Sequence, residues 1–323
     1  MKIFVGLILL ISVLLAGCGG GGGEIVPAAE SAVWAKYGLK KPSPSSIITS
    51  ASDNFKSYTA TIRNDQAIKV LAQTGVDATL TAWVQDGAKF VATRFNYPKF
   101  SKPFLDVIAI DEQWLLNTYI SEGFSNPQSQ SRVVAFRLGA PAFGGSDTNT
   151  WNYATINSKN LLVTDKVGMA QTPGHELFHA IQETLAKGQT PGPKGELIPN
   201  WYWEGAATFV GLQTADGLKV VDYLTLGRPN MVVRFKNGPV QTRSLNLSEI
   251  KANDSTTDPY AIGFSAIEFL VSQVGMQKMI DVCAALGSGK NFGDAFKQGT
   301  GIELVDFYAM FDEVRGGLEF SKN

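Results

Sequence analysis

The chain contains two histidines, and they fall four positions apart in the run His175-Glu176-Leu177-Phe178-His179. Residues i and i+4 of a helix stand one turn apart on one face, so both imidazoles can reach a single ion with Glu176 beside it. This is the His-Glu-x-x-His zinc-binding signature, in which the imidazoles ligate and the carboxylate acts as general base toward a water. A catalytic zinc keeps three protein ligands and one open position. With no third histidine in the sequence, the third ligand has to be a carboxylate or Cys283. Glu204 is the candidate, in Trp201-Tyr202-Trp203-Glu204-Gly205-Ala206-Ala207. The small Ala206 and Ala207 would let its helix approach the histidine helix closely. Cys283 sits in an apolar helical pattern and reads as a small buried hydrophobe without a catalytic role.

The elements around these residues follow from punctuation and periodicity. Thr172-Pro173 reads as N-cap and first helical residue, and Leu177, Phe178, Ile181 and Leu185 form the apolar stripe of a helix ending before Gly188. A Pro/Gly loop over 190–199 leads to a second helix starting near Asn200, and the chain is almost wholly helical from Tyr260 onward. Upstream, residues 24–56 read as irregular with one helix around 28–37. Ala78–Val84 and Lys89–Phe95 read as strands, and 111–122 as a helix. Strands are expected at 132–138, and at 154–156 and 161–164 around an Asn157-Ser158-Lys159-Asn160 turn. The stretch 219–240 reads as a strand-like insert with an Asn237-Gly238 turn. The fold class is α+β, and the polar run after Asn126-Pro127 places a boundary near residue 128.

Apolar residues make up 44% of the 323 and charged residues 18%, below the roughly 25% of an average globular chain, which excludes a disordered protein. Lys and Arg number 28 against 29 Asp and Glu, so the chain lacks the positive field that a nucleic-acid partner requires. In the insert, Lys219, Arg228, Arg234, Lys236 and Arg243 outnumber Asp216 and Asp222. Two readings stay open there: a solvated edge, or a surface for an acidic peptide or a substrate carboxylate.

Lys2 followed by the apolar run Ile3–Leu15 fits a signal-peptide core and is too short to span a bilayer. It ends in Leu15-Ala16-Gly17-Cys18, which resembles the lipobox of bacterial lipoproteins. That resemblance implies cleavage before Cys18, lipidation of its thiol and amine, and export to a membrane anchor, at the outer membrane or periplasmic face if the cell has two membranes. Gly19 to Gly23 form a flexible tether. The expected organisation is a signal peptide at 1–17, lipidated Cys and tether at 18–23, an N-terminal α+β region at 24–128 and a metal-site domain at 129–323.

Across residues 150–323, His175-Glu176-x-x-His179, Trp201-x-x-Glu204-Gly205 and Tyr260-x-x-Gly263 together resemble the gluzincin zinc metallopeptidases. The likeness is to the bacterial peptidase MA-like group and, more distantly, the aminopeptidase-N type. The resemblance implies a zincin-type catalytic domain, one zinc on His175, His179 and Glu204, and Glu176 as the general base. Asp258-Pro259-Tyr260-Ala261-Ile262-Gly263-Phe264 resembles the segment that carries the catalytic tyrosine, which assigns Tyr260 the tetrahedral intermediate, with Tyr202, Tyr223, Arg228 and Arg234 as alternatives. The implied substrate is a peptide or protein of the cell envelope, with β-addition to the 161–164 strand. Gly168-Met169-Ala170-Gln171 does not supply the amine-binding Gly-Ala-Met-Glu-Asn motif of the aminopeptidases, which favours endopeptidase action. Thr208 stands where some gluzincins place an acidic partner for a histidine ligand. Rival functions are a non-catalytic envelope binding lipoprotein and a zinc hydrolase of a non-peptide bond.

Overall fold

The computed structural model describes residues 32–58, 65–125, 130, 133, 142–144, 153–157, 166–192, 195–252 and 256–322. Cys18, the glycine tether and the expected strand at 161–164 lie outside them, as does the expected strand at 132–138 except for Val133, which is buried in helical backbone.

The described chain opens with α1 (Ala32–Lys36) and α2 (Pro44–Ser57), the latter capped by Ser43 with Pro44 in its first turn. After β1 (Ile68–Ala72), helix α3 (Ala78–Arg94) provides the crossover that the parallel strand β2 (Phe104–Ala109) requires. Helix α4 (Glu112–Ser121) follows within the stretch expected to be helical at 111–122, capped by Asp111. Strands β3 (Ala142–Gly144) and β4 (Tyr153–Asn157) complete a four-stranded sheet of order β1-β2-β4-β3. β1, β2 and β4 are parallel, with Leu71 opposite Val107 and Val107 opposite Thr155, while β3 is antiparallel to β4. Thus the described antiparallel partner of β4 precedes it in the chain. The sheet joins strands from either side of residue 128, and one apolar core runs from Trp34 to Phe320.

Alternation along β2 sorts its side chains. Leu105, Val107 and Ala109 pack with Leu115 and Tyr119 of α4, whereas Ile108 packs with Ile156 and with Leu80 and Val84 of α3. Asp106 therefore shares the helix-covered face of Phe104 and Ile108.

The helical half consists of α5 (Lys166–Leu185), α6 (Asn200–Gly217), a π-helical turn at Tyr223–Gly227, α7 (Arg228–Asn237), α8 (Val240–Ser244), α9 (Pro259–Leu286), α10 (Phe292–Thr300) and α11 (Leu304–Val314). α9 is long and apolar enough to cross a membrane, yet most of its side chains are buried between the other helices. The N-terminal elements close onto this half: Trp34 Nε1 donates to Glu313 at 2.9 Å, and the Trp34 ring meets Phe269 of α9 edge-on at 5.9 Å.

Four sequence expectations are corrected. The stretch 24–56, read as irregular with one helix around 28–37, carries a second helix, α2, from Pro44. Ala78–Arg94 form one helix, ended by Phe95 in extended backbone, instead of two strands. Asp77 caps it by accepting from Thr79 N at 2.6 Å, and Leu80, Val84, Ala88 and Val91 are buried at three- and four-residue spacing, so tertiary burial overrides the β-branched composition. The 219–240 insert is also helical: Met231, Val232 and Phe235 form a buried stripe, and Gly238 follows the end of a helix instead of turning a hairpin. Finally, α5 begins at Lys166, with Pro173 inside it. Pro173 removes one helical N–H, and Gly87 of α3 gives its ring room, since a Cβ there would lie 3.1 Å from it. The end of α5 before Gly188 and the start of α6 at Asn200 agree with the sequence.

Candidate metal centre

Helices α5 and α6 pack side by side, and glycine sets their spacing. A Cβ at Gly211 would lie 2.6 Å from the Gln171 carbonyl oxygen and 3.2 Å from the Cβ of His175. Ala206 and Ala207, expected to make this approach, are buried, but the closest passages belong to glycines. A second one joins α6 to α9, where a Cβ at Gly205 would lie 2.3 Å from the Gly263 carbonyl carbon. The three helices are thereby locked at backbone contact around one point.

At that point three ligand atoms converge. The Nε2 atoms of His175 and His179 are 3.0 Å apart, and Glu204 Oε2 lies 3.4 Å from the first and 3.2 Å from the second. Ligands at 2.0–2.1 Å from a tetrahedral zinc stand about 3.3 Å apart, so the spacing fits one small divalent ion. The sequence left the third ligand between a carboxylate and Cys283, and the structure brings Glu204 to the histidines. Cys283 lies in the core beside the Tyr202 hydroxyl, its thiol pushed up to about 12 by burial.

Hydrogen bonds turn the imidazoles toward the centre. Trp203 O accepts from Gln182 Nε2 at 3.2 Å, which leaves Gln182 Oε1 facing His179 Nδ1 at 2.8 Å. With its proton on Nδ1, His179 would present the Nε2 lone pair to a bound ion. His175 Nδ1 faces the Thr208 hydroxyl at 3.5 Å, so Thr208 stands where an acidic partner was missed in the sequence. The rings are sandwiched as well, His179 on Trp203 at 5.6 Å and His175 on Tyr260 at 6.0 Å.

Burial dominates the electrostatics and is opposed by different partners. It lowers the pKa of His175, whereas in His179 the Glu204 carboxylate outweighs it and raises the pKa. Burial also works against charge on Glu204, but the two imidazoles hold that carboxyl below the ordinary carboxylate range. Glu176 is pushed up to about 8 by burial, which His179 opposes and the nearby Glu204 charge reinforces.

Beside the centre a cleft of about 250 Å³ is lined by His175, Glu176, Thr208, Arg234 and Tyr260, among others. Tyr260 reaches it from the first turn of α9, whose N-cap Asp258 accepts from Tyr260 N at 3.0 Å. Two of the alternative residues are committed elsewhere: the Tyr202 hydroxyl donates to Met279 O and the Tyr223 hydroxyl to Glu268, each at 2.5 Å. Arg228 is bound to the same Glu268 in the core, while Arg234 lines the cleft.

Sequence reasoning missed Gln182, Trp203 and Asp106. Asp106 is fully buried on β2, and neither carboxyl oxygen has a hydrogen-bond partner among the described residues. Burial holds its pKa well above the ordinary value, with the Glu176 charge adding to the effect. One signal was available, a lone acid inside the apolar run Phe104-Leu105-Asp106-Val107-Ile108-Ala109.

Comparison with protein-family models, curated proteins and solved structures found no match.

Proposed function

We propose that this chain is a zinc-dependent metallopeptidase of the gluzincin type, acting as an endopeptidase on envelope peptides or proteins and tethered to a bacterial membrane through lipidated Cys18. The supporting observation is the convergence of His175, His179 and Glu204 beside a cleft that also holds Glu176 and Tyr260. When bound, zinc supplies a Lewis acid that polarises a carbonyl and lowers the pKa of water. The protein's own groups do the rest. Glu176, which lines the cleft beside His175, accepts a proton from the attacking water as a carboxylate and returns it to the leaving amine. The Tyr260 hydroxyl donates to the carbonyl oxygen as negative charge develops there. His179 and His175 keep their Nδ1 protons on Gln182 and Thr208, which leaves both Nε2 atoms for the ion.

The test combines metal analysis of the purified chain with cleavage of a diverse peptide library by the wild type and Glu176→Gln. The expected result is about one zinc in both proteins, cleavage by the wild type, and a loss of about 10²- to 10⁴-fold in the variant, as for removal of a general base. A metal-loaded wild type that cuts no peptide overturns the peptidase assignment. Equal turnover by Glu176→Gln overturns the role of that residue.

A further inference from the structure

Arg234 lines the cleft, and three of its five guanidinium N–H donors have no hydrogen-bond partner among the described residues. Its Nε and Nη2 donate to the two Asp258 oxygens at 2.7 and 3.1 Å, a side-on fork that uses two of the five N–H donors. Among the three left over are one on each terminal nitrogen. These two point the same way at the end of the group and are spaced for the two oxygens of a second carboxylate.

The guanidinium plane is fixed before any substrate arrives. Asp258 is itself held as the N-cap of α9, and the Tyr260 ring lies under the guanidinium carbon at 4.4 Å. The side chain remains 41% exposed, so the open edge can be reached from solvent. Among the described residues lining the cleft, Arg234 is the one Lys or Arg side chain; beside the metal-ligand candidate His175, Glu176 contributes a carboxyl and Thr208 and Tyr260 hydroxyls. A donor edge oriented in advance loses little entropy on binding.

We propose that Arg234 is a specificity-determining residue of the cleft and binds a carboxylate of the substrate end-on. The reaction this serves rests on the peptidase assignment, but the binding does not. The carboxylate can come from an acidic side chain within a chain or from a free C-terminus, and the experiment separates the two.

Isothermal titration of the zinc-loaded full chain carrying Glu176→Gln would use three peptides of one apolar sequence. The first is blocked at both ends and neutral, the second carries one internal Glu in place of Gln, and the third has a free C-terminal carboxylate. At least one carboxylate peptide should bind about ten- to a hundred-fold tighter than the neutral one, as for a charge-assisted bidentate bond. Whichever does so identifies the source. Adding Arg234→Gln should abolish the difference, and Arg234→Lys, which keeps the charge without the fork, should retain only part of it; the Lys variant also serves if the Gln variant does not fold. Lys236→Ala, on the same helix but paired with Glu319 at 3.6 Å, should leave the preference intact. Equal affinities for the three peptides, or no binding of any, would overturn the proposal, as would a preference that survives Arg234→Gln. Arg234-dependent binding in a wild type that cleaves nothing would overturn the peptidase assignment alone. In an active enzyme, Arg234→Gln should raise KM for the preferred peptide with little change in kcat, whereas loss of an oxyanion donor would lower kcat.

Discussion

Two clusters of buried polar groups adjoin α9, one at Glu268 and one beside Tyr260, and they balance their charges differently. In the core, Glu268 is completely buried and accepts from Arg228 Nε at 3.1 Å and from the Tyr223 hydroxyl at 2.5 Å, while Arg228 Nη2 donates to Leu318 O at 3.0 Å. Donors there face acceptors. At the other cluster, His175 Nε2, His179 Nε2 and Glu204 Oε2 face one another within 3.4 Å, and with both Nδ1 protons engaged all three present lone pairs. The core network is satisfied by the protein alone, whereas the acceptor cluster needs a cation to offset its repulsion. A ligand site can thus be told from a structural network by which groups lack a complement, even where burial is similar.

The sharpest way to break this comparison is to remove one lone pair. His179→Ala should abolish stoichiometric zinc, read by elemental analysis after dialysis, because two ligands do not hold a catalytic ion. Full zinc content in that variant would show that the convergence is not the binding site. Arg228→Met should leave zinc content unchanged and destabilise the fold by about 3–5 kcal/mol in chemical denaturation, since Glu268 is left buried and unpaired. Adding Glu268→Leu should restore most of that loss, which separates the cost of an orphaned charge from the worth of the pair.

A smaller effect is expected where the acceptor cluster meets the cleft. Tyr260→Phe deletes one hydroxyl and keeps the ring on His175, so zinc content should persist while kcat falls about 10²-fold with little change in KM. A near-normal kcat would move the oxyanion role to another cleft residue. The smallest effect is expected at Asp106, which has neither a complementary donor among the described residues nor a place among the metal ligands. Its folded pKa is raised, so above the unfolded value near 4 the native chain holds a proton that the unfolded chain releases, and stability falls as pH rises. Asp106→Asn stays neutral at every pH. Its Tm should match the wild type at pH 4 and exceed it by about 2 °C at pH 8. A lower Tm at pH 8 would mean that the ionised carboxylate is held by a donor.

The candidate metal ligands were legible because each depended on local rules: i, i+4 spacing for the histidines, and a helix starting at Asn200 that carries Glu204. The strands expected at 78–95 failed because Val, Thr and Phe fit a strand or a buried helix face equally well, and the contacts with β2 and α5 decide which forms. The two arginines of α7 show the limit most directly. Arg228 and Arg234 lie six residues apart on one short helix, yet one is sealed in the core and the other opens on the cleft. Their partners, Glu268 and Asp258, are 40 and 24 positions away, so the pairing arises only when α9 packs against α7. His179 offered a closer clue in Gln182 at i+3, but the carbonyl that orients Gln182 comes from α6.

The glycine crossings have a consequence for how the centre is built. Where Gly205 meets Gly263 and Gly211 meets Gln171, main chain abuts main chain, with no rotamer between to absorb an error. The frame carrying Glu204 and Tyr260 is therefore dimensioned by peptide geometry, which varies by hundredths of an ångström, and works like a caliper closed on two stops. Such a frame holds its gauge before an ion arrives. Inserting one methyl at either stop would spread the jaws and carry Glu204 away from the imidazoles without touching any residue that does chemistry.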